Sequence, residues 1–286
     1  MTTKFKSLLA ALALLMLPAA ASAAGGPEIK YVGVTADRTD IASLQRGARL
    51  FVNYCLNCHS AQYMRYNRLL DLNLTEDQIR QNLMFTTDKL GDTMKVALNP
   101  KDAKEWFGAA PPDLSVMARS YSTERLAAYL RGFYQDDARE TGWNNMVSPN
   151  IGMPHVLHQL SGVNKLVETV YMADGKALKT DHEAEAKAQA AFIAMRTMSS
   201  FEHHTDKKDG KVENKYIVRT VANTSPGTMT PVQYDIAVAD IVNFMDYVAE
   251  PNKAKRIQIG IIMLFLLAFL LAAAIWLKKE FWKDIH

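Results

Sequence analysis

Both cysteines of this 286-residue chain fall in one pentapeptide, Cys55-Leu56-Asn57-Cys58-His59. Two thiols separated by two residues can add to the two vinyl groups of a single porphyrin, and the adjacent histidine then lies under the iron as its proximal ligand. The same residues admit three other readings: half a zinc site, a redox dithiol or a disulfide. A four-ligand zinc site lacks a second cysteine pair and would have to draw on scattered histidines. A thioredoxin-like dithiol belongs near a βαβ pattern and has no need of His59. The motif therefore predicts one covalently attached haem c, held by Cys55 and Cys58 with His59 on the iron.

One axial position is left, and its occupant decides between electron transfer and ligand chemistry. With 14 methionines in the chain, residue type alone identifies nothing. Met153 stands in Pro149-Asn150-Ile151-Gly152-Met153-Pro154, where prolines and glycine favour a non-helical loop able to aim a thioether at a flat ring. Met94, Met117 and Met146 lack that setting. His155 and His158 would give bis-histidine ligation, and a vacant site is the third possibility; spacing leaves all three open. A second compact cluster is Gly108-Ala109-Ala110-Pro111-Pro112-Asp113-Leu114-Ser115. It reads equally as a turn before a helix. A carbonyl of the pair Pro111-Pro112 has no competing amide hydrogen nearby and can accept the Nδ1 proton of His59. Arg119 can pair with a haem propionate.

These groups need elements to hold them. Asp40 is a plausible N-cap for a helix carrying Leu44, Ala48, Phe51 and Cys55 on one face, leading straight into the haem motif. Ser122 can cap a helix with Leu126, Tyr129, Leu130 and Phe133 on one side. Thr230, Pro231 and Gln233 open another with a capping-box pattern, and its stripe Val238, Ile241, Val242, Met245 and Val248 reads as core. Glu250-Pro251 ends it. The best strand is Tyr216 to Val221, as part of a hairpin. Asp181 to Phe201 reads as a surface helix, and His203 to Gly210 as an exposed turn whose vicinal histidines are solvated rather than metal-bound. The stretch from Ser161 to Gly227 receives no function.

The two ends are apolar. Lys4 and Lys6, an apolar run from Leu8 to Leu17 and Ala21-Ser22-Ala23 form the pattern of a signal peptide over residues 1–23. Ile257 to Leu277 carries no charge; at about 1.5 Å per residue it reaches roughly the 30 Å of a bilayer's hydrocarbon core. Lys253, Lys255 and Arg256 precede it, and Lys278, Lys279 and Lys283 follow. Basic residues on both sides leave orientation to the cleaved signal, which places residues 24–252 outside as a periplasmic haem domain, 253–278 as the anchor and 279–286 in the cytoplasm. The formal net charge of +3 singles out no partner, and no nucleic-acid surface is expected. Asp136, Asp137 and Glu140 could steer a basic cytochrome, although a charge cluster is usually a solvated face.

Taken together, Arg46-Gly47 to Tyr54, the Cys55-to-His59 motif, Tyr63 to Leu70, Pro111 to Ser115, Gly152-Met153-Pro154 and Ala249-Glu250-Pro251 before a single anchor resemble the cytochrome c1 family over nearly the whole chain. The resemblance implies a mainly α fold: a cytochrome c-like periplasmic haem domain with insertions and one C-terminal transmembrane helix in a bacterial inner membrane. It also implies His59 and Met153 as axial ligands, with Pro111-Pro112 over the proximal face and Arg119 at a propionate. Two departures stand out: Tyr121 where the family often has a second arginine, and Trp106-Phe107 before Gly108. The implied function is one-electron transfer from a Rieske iron–sulfur protein to a cytochrome c acceptor, beside a cytochrome b subunit in quinol–cytochrome c reductase. A free-standing anchored cytochrome feeding a terminal oxidase, and a haem sensor or peroxidase with an exchangeable sixth ligand, are the alternatives.

Overall fold

A short strand, β1 (Glu28–Lys30), precedes the first helix, α1 (Ile41–Tyr54), which the Asp40 carboxylate caps by accepting from the Ser43 amide at 2.9 Å. In this computed structural model the described residues are 28–30, 36–173, 178–194, 198–208 and 211–283. The expected signal peptide and the last residues of the expected tail lie outside them. Leu44, Ala48 and Phe51 are buried along α1, because residues three and four apart share one helix face. After the haem motif come β2 (Ala61–Arg65), a 3₁₀ turn (Tyr66–Leu72), α2 (Glu76–Asn82) and β3 (Thr93–Met94), which pairs antiparallel with β2. Helix α3 (Pro100–Phe107) stops at Gly108, whose φ of +75° suits a residue without a Cβ. Then follow α4 (Met117–Tyr121), α5 (Thr123–Arg131) capped by Ser122, the two-stranded β4 (Phe133–Gln135) and β5 (Trp143–Asn145), and the single turn α6 (His158–Ser161).

The segment to which sequence assigned no function folds into β6 (Gly162–Met172), α7 (Asp181–Ala194), β7 (Ser199–Lys208) and β8 (Lys211–Pro226), the last containing the expected strand Tyr216 to Val221. They build a four-stranded sheet in the order β1-β7-β8-β6, with antiparallel neighbours throughout. Helix α7 covers one face through Ala184, Ala188 and Phe192 against Tyr216 and Val218. Two expectations are corrected here. The helix ends at Ala194 rather than Phe201, and His203 to Lys208 lies in a strand rather than a turn, because β7 pairs residue for residue with β8 from Ser199↔Thr220 to Lys208↔Lys211. Alternation along the strand sends the two histidines to opposite faces. His203 stacks on Tyr216 at 4.6 Å, and His204 reaches Glu202 at 2.9 Å, so the pair does not converge on one metal.

Helix α8 (Pro231–Ala249) begins with the expected capping box of Thr230 and Gln233, and Val238, Ile241, Val242, Met245 and Val248 are all buried. It crosses α1 at close range. A Cβ on Gly47 would lie 2.0 Å from the Asp240 carbonyl oxygen, so only glycine permits the approach. Asp240, 3% exposed, accepts from Ser43 Oγ at 2.7 Å and from Arg46 Nε and Nη2 at 2.7 and 2.8 Å. A buried carboxylate is tolerable only when its charge and lone pairs are matched in this way. Phe51 and Phe244 add a tilted ring pair at 5.4 Å. After Glu250-Pro251 the chain enters α9 (Lys253–Phe281), no residue of which is buried. It is the one helix among the described residues long and apolar enough to cross a membrane.

Candidate functional site

Helix α1 delivers the motif. Its backbone ladder runs out at Cys55, whose amide donates to Phe51 at 2.9 Å. The Cys55 carbonyl then accepts from both Cys58 and His59, at 3.1 and 2.9 Å, wrapping the pentapeptide into one further turn. Cys55 faces the core and Cys58 is exposed. Burial, and secondarily the neighbouring Cys58, push the Cys55 thiol up to about 12.

His59 is fixed by the segment after α3. Its Nδ1 lies 2.7 Å from the Pro112 carbonyl. A carbonyl can only accept, so the proton sits on Nδ1 and the Nε2 lone pair is left for a ligand. Burial lowers the pKa of the ring and keeps it neutral, opposed by the Pro112 contact and by Asp113. Asp113 ties the two segments together: its carboxylate accepts from the Gln62 amide at 2.9 Å and the Ser115 amide at 2.8 Å. Leu114 donates to the Ser60 carbonyl at 2.8 Å, and the Tyr63 amide donates to Ser115 Oγ at 3.0 Å. Pro112 rather than Pro111 thus supplies the carbonyl. Arg119, on α4, is exposed and its charge acts on Glu250.

The loop carrying Met153 is held from several sides. Gly152 passes so near α3 that a Cβ would lie 2.8 Å from the Phe107 carbonyl oxygen. Asn150 takes a left-handed conformation, φ 64°, while its amide donates to Asn144 Oδ1 at 2.8 Å. Asn145 Oδ1 accepts from the amides of Val147 and Ser148, and its Nδ2 donates to the Tyr129 carbonyl at 2.8 Å. Met153 is half-buried, and the Tyr129 hydroxyl donates to its sulfur at 3.2 Å. Sequence reading missed Tyr129, Asn144 and Asn145 as parts of the site; two consecutive asparagines closing a strand were the available signal.

The rival ligands sit elsewhere. Met94 and Met146 are core residues, and Met117 packs against the main cluster. His155 is 2% exposed, stacks on Phe133 at 5.0 Å, meets Trp143 edge-on at 5.1 Å and commits Nε2 to Ser161 Oγ at 2.8 Å. Burial, aided by His158, holds its pKa down at about 4. His158 turns its Nδ1 to the His155 carbonyl.

The donor set suits a haem: two cysteines on one turn, a histidine with Nε2 available, and a thioether held at a loop. Beside it stand uncovered apolar groups, with Tyr63 79% and Phe107 39% exposed. Both flank the segments that fix His59 and Met153, and a flat apolar macrocycle is the kind of group such a rim accommodates.

Comparison with known proteins agrees. The model of the Cytochrome C1 family matches residues 32–208 and 223–285. A relative from Nitrosomonas europaea, named ammonia monooxygenase gamma subunit, is 39% identical over 275 residues, 96% of this chain and 97% of its own. Cytochrome c1 of Allochromatium vinosum is 38% identical over 282 residues, 98% of this chain and 100% of its own. Cytochrome c1 of Rhodospirillum rubrum is 23% identical over 278 residues, 87% and 84% of the two chains.

Proposed function

Because this chain belongs to the cytochrome c1 family, and is thus a membrane-anchored c-type cytochrome of electron transport, we propose that it relays single electrons from a Rieske iron–sulfur protein to a cytochrome c within quinol–cytochrome c reductase. In this reading Cys55 and Cys58 carry one haem c by thioether bonds, and His59 and Met153 are its axial ligands. Residues 24–252 lie in the periplasm of a bacterium after removal of a signal peptide, with the anchor in the inner membrane beside cytochrome b and the C-terminus in the cytoplasm.

The observation that carries the reading is the His59–Pro112 contact, which orients the imidazole and leaves the Nε2 lone pair for a ligand, on the residue next to Cys58. The bound haem supplies reversible one-electron chemistry between Fe(III) and Fe(II). The chain does the rest. Asp113 and Ser115 lock the proximal segment, so the imidazole needs no reorientation when charge changes at its side. Met153 would supply the second ligand, and with both positions on the iron filled none would remain for a substrate. Arg119, exposed on α4, is a cation available for a propionate.

Detergent-solubilised complex from the native membrane tests this. Co-elution of the chain with a b-type haem and a Rieske cluster is the expected result. Elution alone would favour a free-standing cytochrome, and rapid carbon monoxide binding to the reduced haem would favour a sensor or peroxidase. The name of the N. europaea relative suggests a monooxygenase assembly as the second reading. Co-elution with an oxygenase in place of cytochrome b would select it.

A further inference from the structure

Resting on the ligand assignment above, we propose that Tyr129 is a positioning residue for Met153 and that its hydroxyl raises the reduction potential of the centre by drawing electron density from the thioether. The hydroxyl donates to the Met153 sulfur at 3.2 Å. That choice of partner is unusual within this molecule. The Tyr234 and Tyr247 hydroxyls find backbone carbonyls at 3.0 and 2.9 Å, which are far better acceptors than a thioether. A phenol committed to sulfur in a half-buried setting therefore needs a reason beyond satisfying the phenol.

The surroundings hold it there. The Tyr129 ring stands edge-on to Phe133 at 5.2 Å and 76°, while its own carbonyl accepts from Asn145 Nδ2 at 2.8 Å. Phe133 in turn stacks on His155 at 5.0 Å and 6°, and His155 is fastened to Ser161. One aromatic wall thus holds the Met153 sulfur through Tyr129 and fastens the chain two residues on through His155. A thioether has two lone pairs. With one engaged by Tyr129, the sulfur rotates less freely and the other pair would remain for the iron. Withdrawing density from the sulfur weakens its bond to oxidised iron more than to reduced iron, which favours the reduced state.

The test is a redox titration and ferric absorption spectrum of the full-length holoprotein in detergent. Tyr129→Phe keeps the ring and its packing; the expected result is unchanged haem content and melting, a lower midpoint potential and a displaced sulfur-to-iron charge-transfer band. Met153→Leu, run in parallel, is expected to abolish that band and lower the potential while the haem stays attached. If Met153→Leu abolishes the band and Tyr129→Phe changes neither band nor potential, the proposal is overturned and the ligand assignment stands. A band that survives Met153→Leu overturns both. Phe133→Leu strips packing from the ring and spares the hydroxyl, so it controls for a merely structural role. An equal fall in potential in Phe133→Leu and Tyr129→Phe would also overturn the proposal.

Discussion

The imidazole of His59 owes its orientation to groups 53 residues downstream, and Asp113 is the residue on which that arrangement turns. Its two carboxylate oxygens are spent on the amides of Gln62 and Ser115, one on each side of the junction. Hydrogen bonds to an ionised acceptor are worth about 1.5–3 kcal/mol each net when poorly replaced by water. Asp113→Ala is therefore expected to lower stability by roughly 2 kcal/mol and to loosen the hold on His59. Thermal melting of the holoprotein followed in the Soret band checks the first effect. A broadened ferric haem electron paramagnetic resonance signal checks the second. At this scale the sequence was informative where chemistry is local. The pentapeptide and the proline pair are contiguous strings, whereas the Tyr129–Met153 contact joins two elements and leaves no mark on either string.

The crossing of α1 and α8 is the tightest joint in the core. Gly47→Ala would drive a methyl group into the Asp240 carbonyl and the Phe244 Cβ, at 2.0 and 2.8 Å. Backbone cannot yield as a flexible side chain would, so the expected cost is about 3 kcal/mol or more, read as a fall in melting temperature of roughly 5–10 °C. Across the sheet, Arg219 of β8 bridges Glu168 of β6 and Glu202 of β7. Its hydrogen bond to Glu202 holds that carboxyl below the usual range. A depressed folded pKa means stability that is present above the unfolded value near 4.5 and lost as the pH falls through the folded one. Protection of β7 and β8 amides, measured by hydrogen exchange and corrected for intrinsic rates, should hold from pH 7 to 5 and fall below about 4.5, and Arg219→Met should remove this dependence. Helices α1, α5 and α8 were legible because caps and apolar stripes are local codes. Strand β7 was not, because Ser199 to Lys208 carries polar and charged residues on both faces. Its position is set by its neighbours β1 and β8 rather than by any alternation of its own. Strand β6, with Val163, Val167, Thr169 and Tyr171 on one side, did carry a readable β-branched pattern.

The body and the anchor meet at Glu250. Its carbonyl accepts from Arg38 at the start of the described core, and its carboxylate pairs with Arg256 on α9. No residue of α9 is buried, so the body owes it no packing. Ending the chain after Asn252 is expected to yield a water-soluble protein with its haem spectrum intact and its melting temperature within a few degrees of the full-length protein; loss of the spectrum would contradict this independence. The α1–α8 joint has a further consequence, one of timing. Residues 41–54 must wait for residues 231–249 before they can close their core, and contacts of such long range form late. Once closed, the core holds the Cys55 thiol buried and reluctant to ionise. Thioether formation requires a reactive sulfur. Under the proposed function, attachment at Cys55 would therefore have to precede the docking of α8, which begins 176 residues further along the chain, at Pro231.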